Sequence, residues 1–403
     1  MGECTYTWEE WDEEKQKYIT KKCPEEIWKK NQDFCIFHDP SPEKDPRLFE
    51  KKLKKKLKNK DYNFQGYYFL ENMDFTNKNF EKAAFFDGVT FQNVSFDNTS
   101  FDMVFFDKTT FNVASFDKTT FQNASFNGAV FTITSFDKAT FQNASFEGAF
   151  FQDVTFNGAF FQDVIFNNAT FQGASFEEAH FEQVASFRGA NFQSNISFRG
   201  ASFSQTYFID IQATCYVKFE NNKFCKFLAN KKSQNALLEQ GYRNIKNLLN
   251  LQGDYAAAGE FHYIEMEAKR CRTRNPSCLW LMLYKSLCGY GERPMRVIGA
   301  SLVIILVGAM LFFFCGIEHF DESFYTTGKA HIIQYPFSIS GIKSALLEDF
   351  GYCIYYSVIT FTTLGYGDIH PLGLSHVFAA VESFIGAFFI ALFVVVFARK
   401  MIR

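Results

Sequence analysis

The 403-residue sequence lacks a strong charge imbalance, with 41 basic and 44 acidic residues and a net charge of −3. So even a balance gives no global electrostatic reason to bind nucleic acid, and none is expected as a partner. A basic start followed by an apolar run is also missing from MGECTYTWEEWDEEKQKY. No secretory signal is read there, and the front of the chain is expected in the cytosol. Nor is there a phosphate-binding glycine loop, a nucleophile elbow or a convincing acid–base pair, which argues against an enzyme. Ten cysteines are present, but in a reducing compartment clustered cysteines point to metal or plain thiols rather than disulfides.

What is abundant is phenylalanine, 54 residues in all. From Phe86 to Phe181 it recurs at every fifth position, twenty times in succession. A period of five matches neither an α-helix at 3.6 nor a strand at 2. Ragged copies continue through Phe75 and Phe80 on one side and Phe187, Phe192, Phe198, Phe203 and Phe208 on the other. Two positions before each Phe sits a small or β-branched residue, such as Ala114, Thr119, Ala139 or Val154. Two residues in five then need to face inward. If every fifth residue turns a corner, four pentapeptides close a square coil of about twenty residues, stacked at the strand spacing of ~4.8 Å.

This pattern resembles the pentapeptide-repeat family, which implies a right-handed quadrilateral β-helix over roughly Phe75 to Phe208. The family more often places Leu at the centre, so Phe implies a change in coil width. Phe187 and Phe198 each fall six residues after the preceding Phe, which predicts one-residue bulges before the column ends.

Residues 1–65 form a charged N-terminal segment. Within it Cys4, Cys23, Cys35 and His38 are candidate ligands of a structural zinc ion, because Cys35-Ile-Phe-His38 has a gap that lets a turn chelate one metal. Three free thiols beside a histidine is the alternative. The run from Lys51 to Lys60 holds seven lysines and reads as a solvated amphipathic helix end, or as a patch for anionic headgroups. After the column region, 66–228, residues 229–292 read as a helix pair followed by an interfacial helix. Gly253 ends the first helix and Asp254 caps the second. Trp280, Leu281, Leu283 and Leu287 supply the apolar face of the interfacial helix.

The last segment, 293–403, changes character. Val297 to Ile317 holds 21 residues without a charge, enough to cross a bilayer as a helix. A second span covers 374–398, interrupted by His376 and Glu382. Arg293 and Arg296 precede the first span, and Arg399, Lys400 and Arg403 follow the second. Both chain ends are therefore expected in the cytosol and the intervening segment outside. No run of Arg at every third position accompanies the spans, so a voltage-sensing domain is not expected.

Between the spans lies SVITFTTLGYGDIHP, Ser357 to Pro371. Its stretch Thr363-Leu364-Gly365-Tyr366-Gly367 resembles the selectivity filter of potassium channels. The resemblance implies K+ as the conducted ion and a homotetramer in the plasma membrane, since four strands of carbonyls are needed to replace the ion's hydration shell. Gly365 and Gly367 tolerate the alternating backbone hand such a strand requires. By motif position, Thr363 adds a hydroxyl at the inner end and Tyr366 braces the strand from behind. Thr362 and a Tyr355–Asp368 contact support the filter. A pore helix over 350–362 aims its negative dipole end at the ion path. Gly386 matches a hinge position or serves tight packing, and Glu382 faces either a cavity or the pore helix.

The fold expected is thus mixed: a β-helix, a helical linker and an all-α two-span tetrameric pore module. Because the second span ends close to Arg403, a cytosolic ligand or protein is expected to act through the N-terminal column. The second functional reading is a membrane-anchored scaffold whose column binds partners and whose pore is vestigial.

Overall fold

A computed structural model describes residues 2–12, 15–29, 33–41, 43–224, 232–273, 276–320, 330–335 and 344–401. The chain divides into two compact units, Met1–Arg272 and Thr273–Arg403.

In the first unit, parallel strands pair residues 20 apart, as in Phe111 with Phe131, Phe131 with Phe151 and Phe141 with Phe161. One coil is therefore four pentapeptides, and the chain builds the expected β-solenoid. Rings one coil apart stack face to face, Phe116 on Phe136 at 4.7 Å and Phe126 on Phe146 at 4.6 Å. Rings of successive pentapeptides meet edge-on or tilted, as Phe121 meets Phe126 at 5.4 Å and 78° and Phe116 meets Phe121 at 5.9 Å and 52°. The edge-on contacts suit the aromatic quadrupole, and the parallel pairs have the centroid spacing of offset stacking. The second inward position is Ala129, Ala139 and Ala149 in the middle coils, all fully buried. In earlier coils it is Thr99, Thr109 and Thr119, whose hydroxyls donate to the carbonyls of Phe75, Phe86 and Phe96 at 2.8, 2.7 and 2.6 Å. A buried hydroxyl is tolerated there because it has an acceptor.

Corners need a left-handed residue. Thr109 N donates to Phe106 O at 3.1 Å across a turn whose third residue, Lys108, has φ 55°, the type II geometry that favours glycine. Gly128, Gly148 and Gly158 fill that place in later coils. A second set of left-handed corners begins at Ile133 and continues through Asn143, Asp153 and Asp163. Ile133, with φ 51° and a side chain left 59% exposed, is the poorest fit, since a β-branched residue resists this region.

The expected bulges are present. Phe161 pairs with Phe181 but Val164 with Ala185, and Phe171 pairs with Phe192 but Ala174 with Ile196. Each extra residue is absorbed on the outside, so Phe187 and Phe198 return to the ladders, at 4.9 Å from Phe166 and 5.0 Å from Phe176.

Both ends of the column are covered. At the start, helix α1 (Pro46–Lys58) is capped by Asp45, whose carboxylate accepts from Arg47 N at 3.0 Å, and it buries Phe49 and Leu53. The lysine run thus forms the outer face of an amphipathic helix, with Lys52 paired to Glu25 at 2.7 Å and Lys56 to Asp61 at 2.6 Å. At the far end, helices α2 (Lys232–Leu251) and α3 (Tyr255–Arg272) lie over the last coils. Phe261 meets Phe219 edge-on at 4.9 Å, and Gln252 donates to Cys215 O at 2.8 Å. Gly253 turns the chain at φ 78°, and Asp254 accepts from Ala257 N at 3.0 Å.

Glu265 is buried between α2 and α3, where Lys246 and Arg243 donate to it at 2.7 and 2.9 Å. Burial pushes its carboxyl up, but hydrogen bonds from His262, Lys246 and Arg243 outweigh burial and hold it down at about 2.

The second unit contains α4 (Ser277–Cys288), α5 (Pro294–Cys315), α6 (Ser344–Phe361) and α7 (Ser375–Met401). Helices α5 and α7 are long and apolar enough to cross a membrane. α5 ends two residues before the expected span does, because Gly316, at φ 104°, turns the chain into the strand Ile317–His319. That strand pairs antiparallel with His331–Ile333 on one side and Ile369–Pro371 on the other. Phe312, Phe313, Cys353, Tyr356 and Ile359 fill the core behind this sheet. α4 leaves Leu279, Trp280, Met282 and Leu283 exposed.

Two stability outcomes follow. Ile133→Gly should raise the denaturation midpoint of the column, by roughly 0.5–1 kcal/mol once glycine's own entropy cost is subtracted from the left-handed penalty; a lower midpoint contradicts the strain. Glu265→Gln should destabilise the helix pair by about 2 kcal/mol at neutral pH. The Glu265 carboxyl is held below its unfolded value, so its stabilisation is complete above the ordinary carboxylate range and is lost as pH falls through about 2. The gap between wild type and Glu265→Gln in denaturant titrations should therefore close on acidification, and a constant gap contradicts the ion pairs as its cause.

Candidate functional site

The residues that follow α6 leave the helix through an ordered set of bonds. Thr362 N and its hydroxyl donate to Val358 O at 2.9 and 2.7 Å, and Thr363 N donates to Thr360 O at 3.1 Å. Leu364 N and Gly365 N then both reach Ile359 O, at 2.9 and 3.4 Å. At the other end Phe320 N donates to Asp368 O at 3.0 Å, and residues 369–371 join the sheet. Residues 363–367 are thereby held at both ends.

Within them the backbone alternates in hand, with positive φ at Thr363 (58°), Gly365 (51°) and Gly367 (80°). Sequence reasoning assigned this task to the two glycines, and the structure adds Thr363. Among the described residues, no hydrogen bond ends on the carbonyls of 363–367. All five residues are exposed in the single chain, Leu364 by 59% and Tyr366 by 69%. The Thr363 hydroxyl donates to Thr362 O at 2.7 Å, which leaves its oxygen lone pairs free to accept. Asp368 Oδ1 is buried with no hydrogen-bond partner among the described residues.

Glu382 on α7 is buried within the single chain. Ser357 of α6 donates to its Oε1 at 2.5 Å and also reaches Ile305 O of α5 at 2.8 Å. A Cβ at Gly308 of α5 would overlap the carboxylate. The structure thus places Glu382 against the helix that precedes 363–367, enclosed by α5 and α6. Ser357 and Gly308 were missed in the sequence, where only a hydroxyl and a glycine inside apolar runs mark them. Gly386 lies within the continuous α7, and a Cβ there would overlap the carbonyl oxygen of Phe361. Close packing alone therefore requires glycine at that position.

In the first unit, Cys4, Cys23, Cys35 and His38 converge. All four are buried, with their ligand atoms within 4.8 Å of one another. His38 Nδ1 lies 3.2 Å from Cys35 Sγ and 3.6 Å from Cys4 Sγ, and Cys23 Sγ lies 3.9 Å from Cys35 Sγ.

Models of pentapeptide repeats match residues 114–153 and 166–212, and a model described as an ion channel matches residues 300–403. The chain carries pentapeptide repeats and a C-terminal ion channel domain. Of solved structures, the plasmid-mediated fluoroquinolone resistance protein QnrB1 is 14% identical, over 38% of this chain and 92% of its own, with a TM-score of 0.25. HetL, a pentapeptide repeat protein of Nostoc sp. strain PCC 7120 involved in heterocyst differentiation regulation, is 15% identical over 38% and 86% with a TM-score of 0.16. A pentapeptide repeat protein of the Arabidopsis thaliana thylakoid lumen is 20% identical over 32% and 72% with a TM-score of 0.15. No curated protein matches the chain. The solenoid assignment rests on the chain's own 20-residue register.

The ion channel domain yields a packing test. Gly308→Ala should cost about 1–3 kcal/mol in thermal unfolding of the detergent-solubilised chain, the usual range for overpacking. In a Glu382→Ala background the overlap is gone, so the same substitution should cost at least about 1 kcal/mol less. Additive costs would contradict the contact.

Proposed function

We propose that four copies of this chain assemble into a potassium-selective channel of the plasma membrane, with Thr363 to Gly367 as the filter. The observation that carries the reading is the run of five exposed residues with left-handed φ at alternate positions and carbonyls that accept no bond among the described residues. Alternating hand turns successive carbonyls toward one side, whereas an ordinary strand points them to opposite sides. Four such runs around an axis form stacked oxygen rings, and K+ exchanges its water for them. The Thr363 hydroxyl oxygen extends the stack inward. Thr362, Tyr355 and Asp368 hold the strand from outside, and the C-terminal end of α6 contributes partial negative charge that favours a cation.

In this reading α5 and α7 cross the bilayer with both chain ends in the cytosol, as the flanking basic residues direct. The exposed apolar residues of α7, Phe384, Phe388 and Val395 among them, face lipid or a neighbouring subunit. Conduction is passive. Both matched families point to a protein that is not an enzyme. The repeat column serves assembly or regulation in the cytosol, through a ligand or protein partner yet to be identified.

Purified full-length protein in liposomes should release K+ down its gradient, with block by barium and far slower flux of sodium. Gly367→Ala should abolish that preference, because a Cβ at left-handed φ costs about 1–2 kcal/mol in each of four subunits. Equal sodium and potassium fluxes in the wild type, or none, would contradict the reading.

A further inference from the structure

We propose that Cys4, Cys23, Cys35 and His38 bind one zinc ion, and that this ion closes the N-terminal end of the repeat column. The inference is independent of the channel reading. Zinc in a structural site takes four thiolate or imidazole ligands tetrahedrally, at about 2.3 Å for sulfur and 2.0–2.1 Å for nitrogen. The edges of such a tetrahedron are about 3.8 Å between sulfurs and about 3.5 Å between sulfur and nitrogen. The Cys23–Cys35 separation of 3.9 Å and the separations of 3.6 and 3.2 Å from His38 to Cys4 and Cys35 lie close to those edges.

The surroundings of the ligands fit the same ion. His38 Nε2 lies 3.0 Å from Gln65 O, a carbonyl that can only accept, so the ring proton sits on Nε2 and the Nδ1 lone pair faces the sulfurs of Cys4 and Cys35. A metal-bound histidine is oriented in this way by its outer hydrogen bond. Cys35 N donates to Cys4 Sγ at 3.3 Å, as an amide does to a thiolate. His38 N and Asp39 N both bond Cys35 O, at 3.1 and 3.0 Å, so a tight turn holds two ligands together. Cys4 and Cys23 arrive from separate segments, which meet where Cys4 N bonds Glu25 O and Cys23 N bonds Tyr6 O.

The location gives the ion its role. The first coil of a parallel solenoid presents an open edge, and such edges and terminal repeats need covering. Phe37, between the ligands Cys35 and His38, stacks on Tyr67 at 4.5 Å, and its carbonyl accepts from Tyr68 N at 2.8 Å. Tyr68 itself bridges to Thr90 of the next coil. Tyr6 stacks on His38 at 3.9 Å. Ile36 and Phe37 pack into the core of the column, and one ion ties the three ligand-bearing segments together while the Gln65 carbonyl anchors the histidine.

The test uses the full chain in detergent, purified under reducing conditions. Elemental analysis should find about one zinc per chain in the wild type and about a tenth of that or less in Cys35→Ser. His38→Cys, which keeps four ligands, should retain the metal and so separate ligand loss from misfolding. Replacing zinc by Co2+ should give a sulfur-to-metal charge-transfer absorption. Stripping zinc from the wild type with a chelator should speed hydrogen exchange at Tyr68 N by at least about tenfold, with residues 130–165 unchanged. Equal zinc in wild type and Cys35→Ser, or a Cys23–Cys35 disulfide in its place, would overturn the site. Bound zinc whose removal leaves Tyr68 exchange unaltered would overturn the closing role.

Discussion

The use made of backbone hydrogen-bonding groups is the constraint on which the molecule depends. In the repeat column each coil bonds to the coil 20 residues further on, so Phe126 N donates to Ser145 O and Phe136 N to Thr155 O at 2.7 Å each. The exposed flanks need little else, because the backbone is satisfied and the Phe stack fills the interior. In the ion channel domain the carbonyls of residues 363–367 accept no such bond among the described residues. Ile359 O gathers the amides of Leu364 and Gly365, and the next carbonyls are left for a partner that the single chain does not supply among its described residues. In the proposed assembly that partner is the permeating ion.

A column built in this way is regular in its middle and exceptional at its ends. Between the ends one pentapeptide can replace another, and the inward Thr or Ala differs only in whether a hydroxyl reaches a carbonyl one coil away. At the ends the repeat has no neighbour, and different chemistry takes over. Helices α2 and α3 cover one end with Phe261 and Gln252. The segment that holds Cys4, Cys23, Cys35 and His38 covers the other. The buried Glu265 joins α2 and α3, where Arg243 and Lys246 of α2 pair with it.

The repeat was legible from sequence because each pentapeptide states its own geometry: the period, the inward pair and the two six-residue gaps translate directly into coil length, core and bulges. The two apolar spans were legible for a similar reason, since hydropathy is a local property. Backbone hand was harder to read. Ile133 and Thr363 carry side chains that disfavour positive φ, and their conformations are set by the coil beneath and by Ile359 O. The Gly308–Ser357–Glu382 contact was invisible because three separated helices supply it, and each residue alone has an ordinary explanation. Gln65 likewise looks like any polar residue at the start of a repeat until His38 is seen bonded to its carbonyl.

The central claim is that residues 363–367 from four chains together make one ion path. A cryo-electron microscopy map of the full chain in lipid nanodiscs with K+ would test it most directly. The account predicts a four-fold axis lined by the carbonyls of Thr363 to Gly367, with ion density between successive oxygen rings. A map without four-fold symmetry, or with these residues turned toward lipid and their carbonyls bonded within one chain, would contradict it.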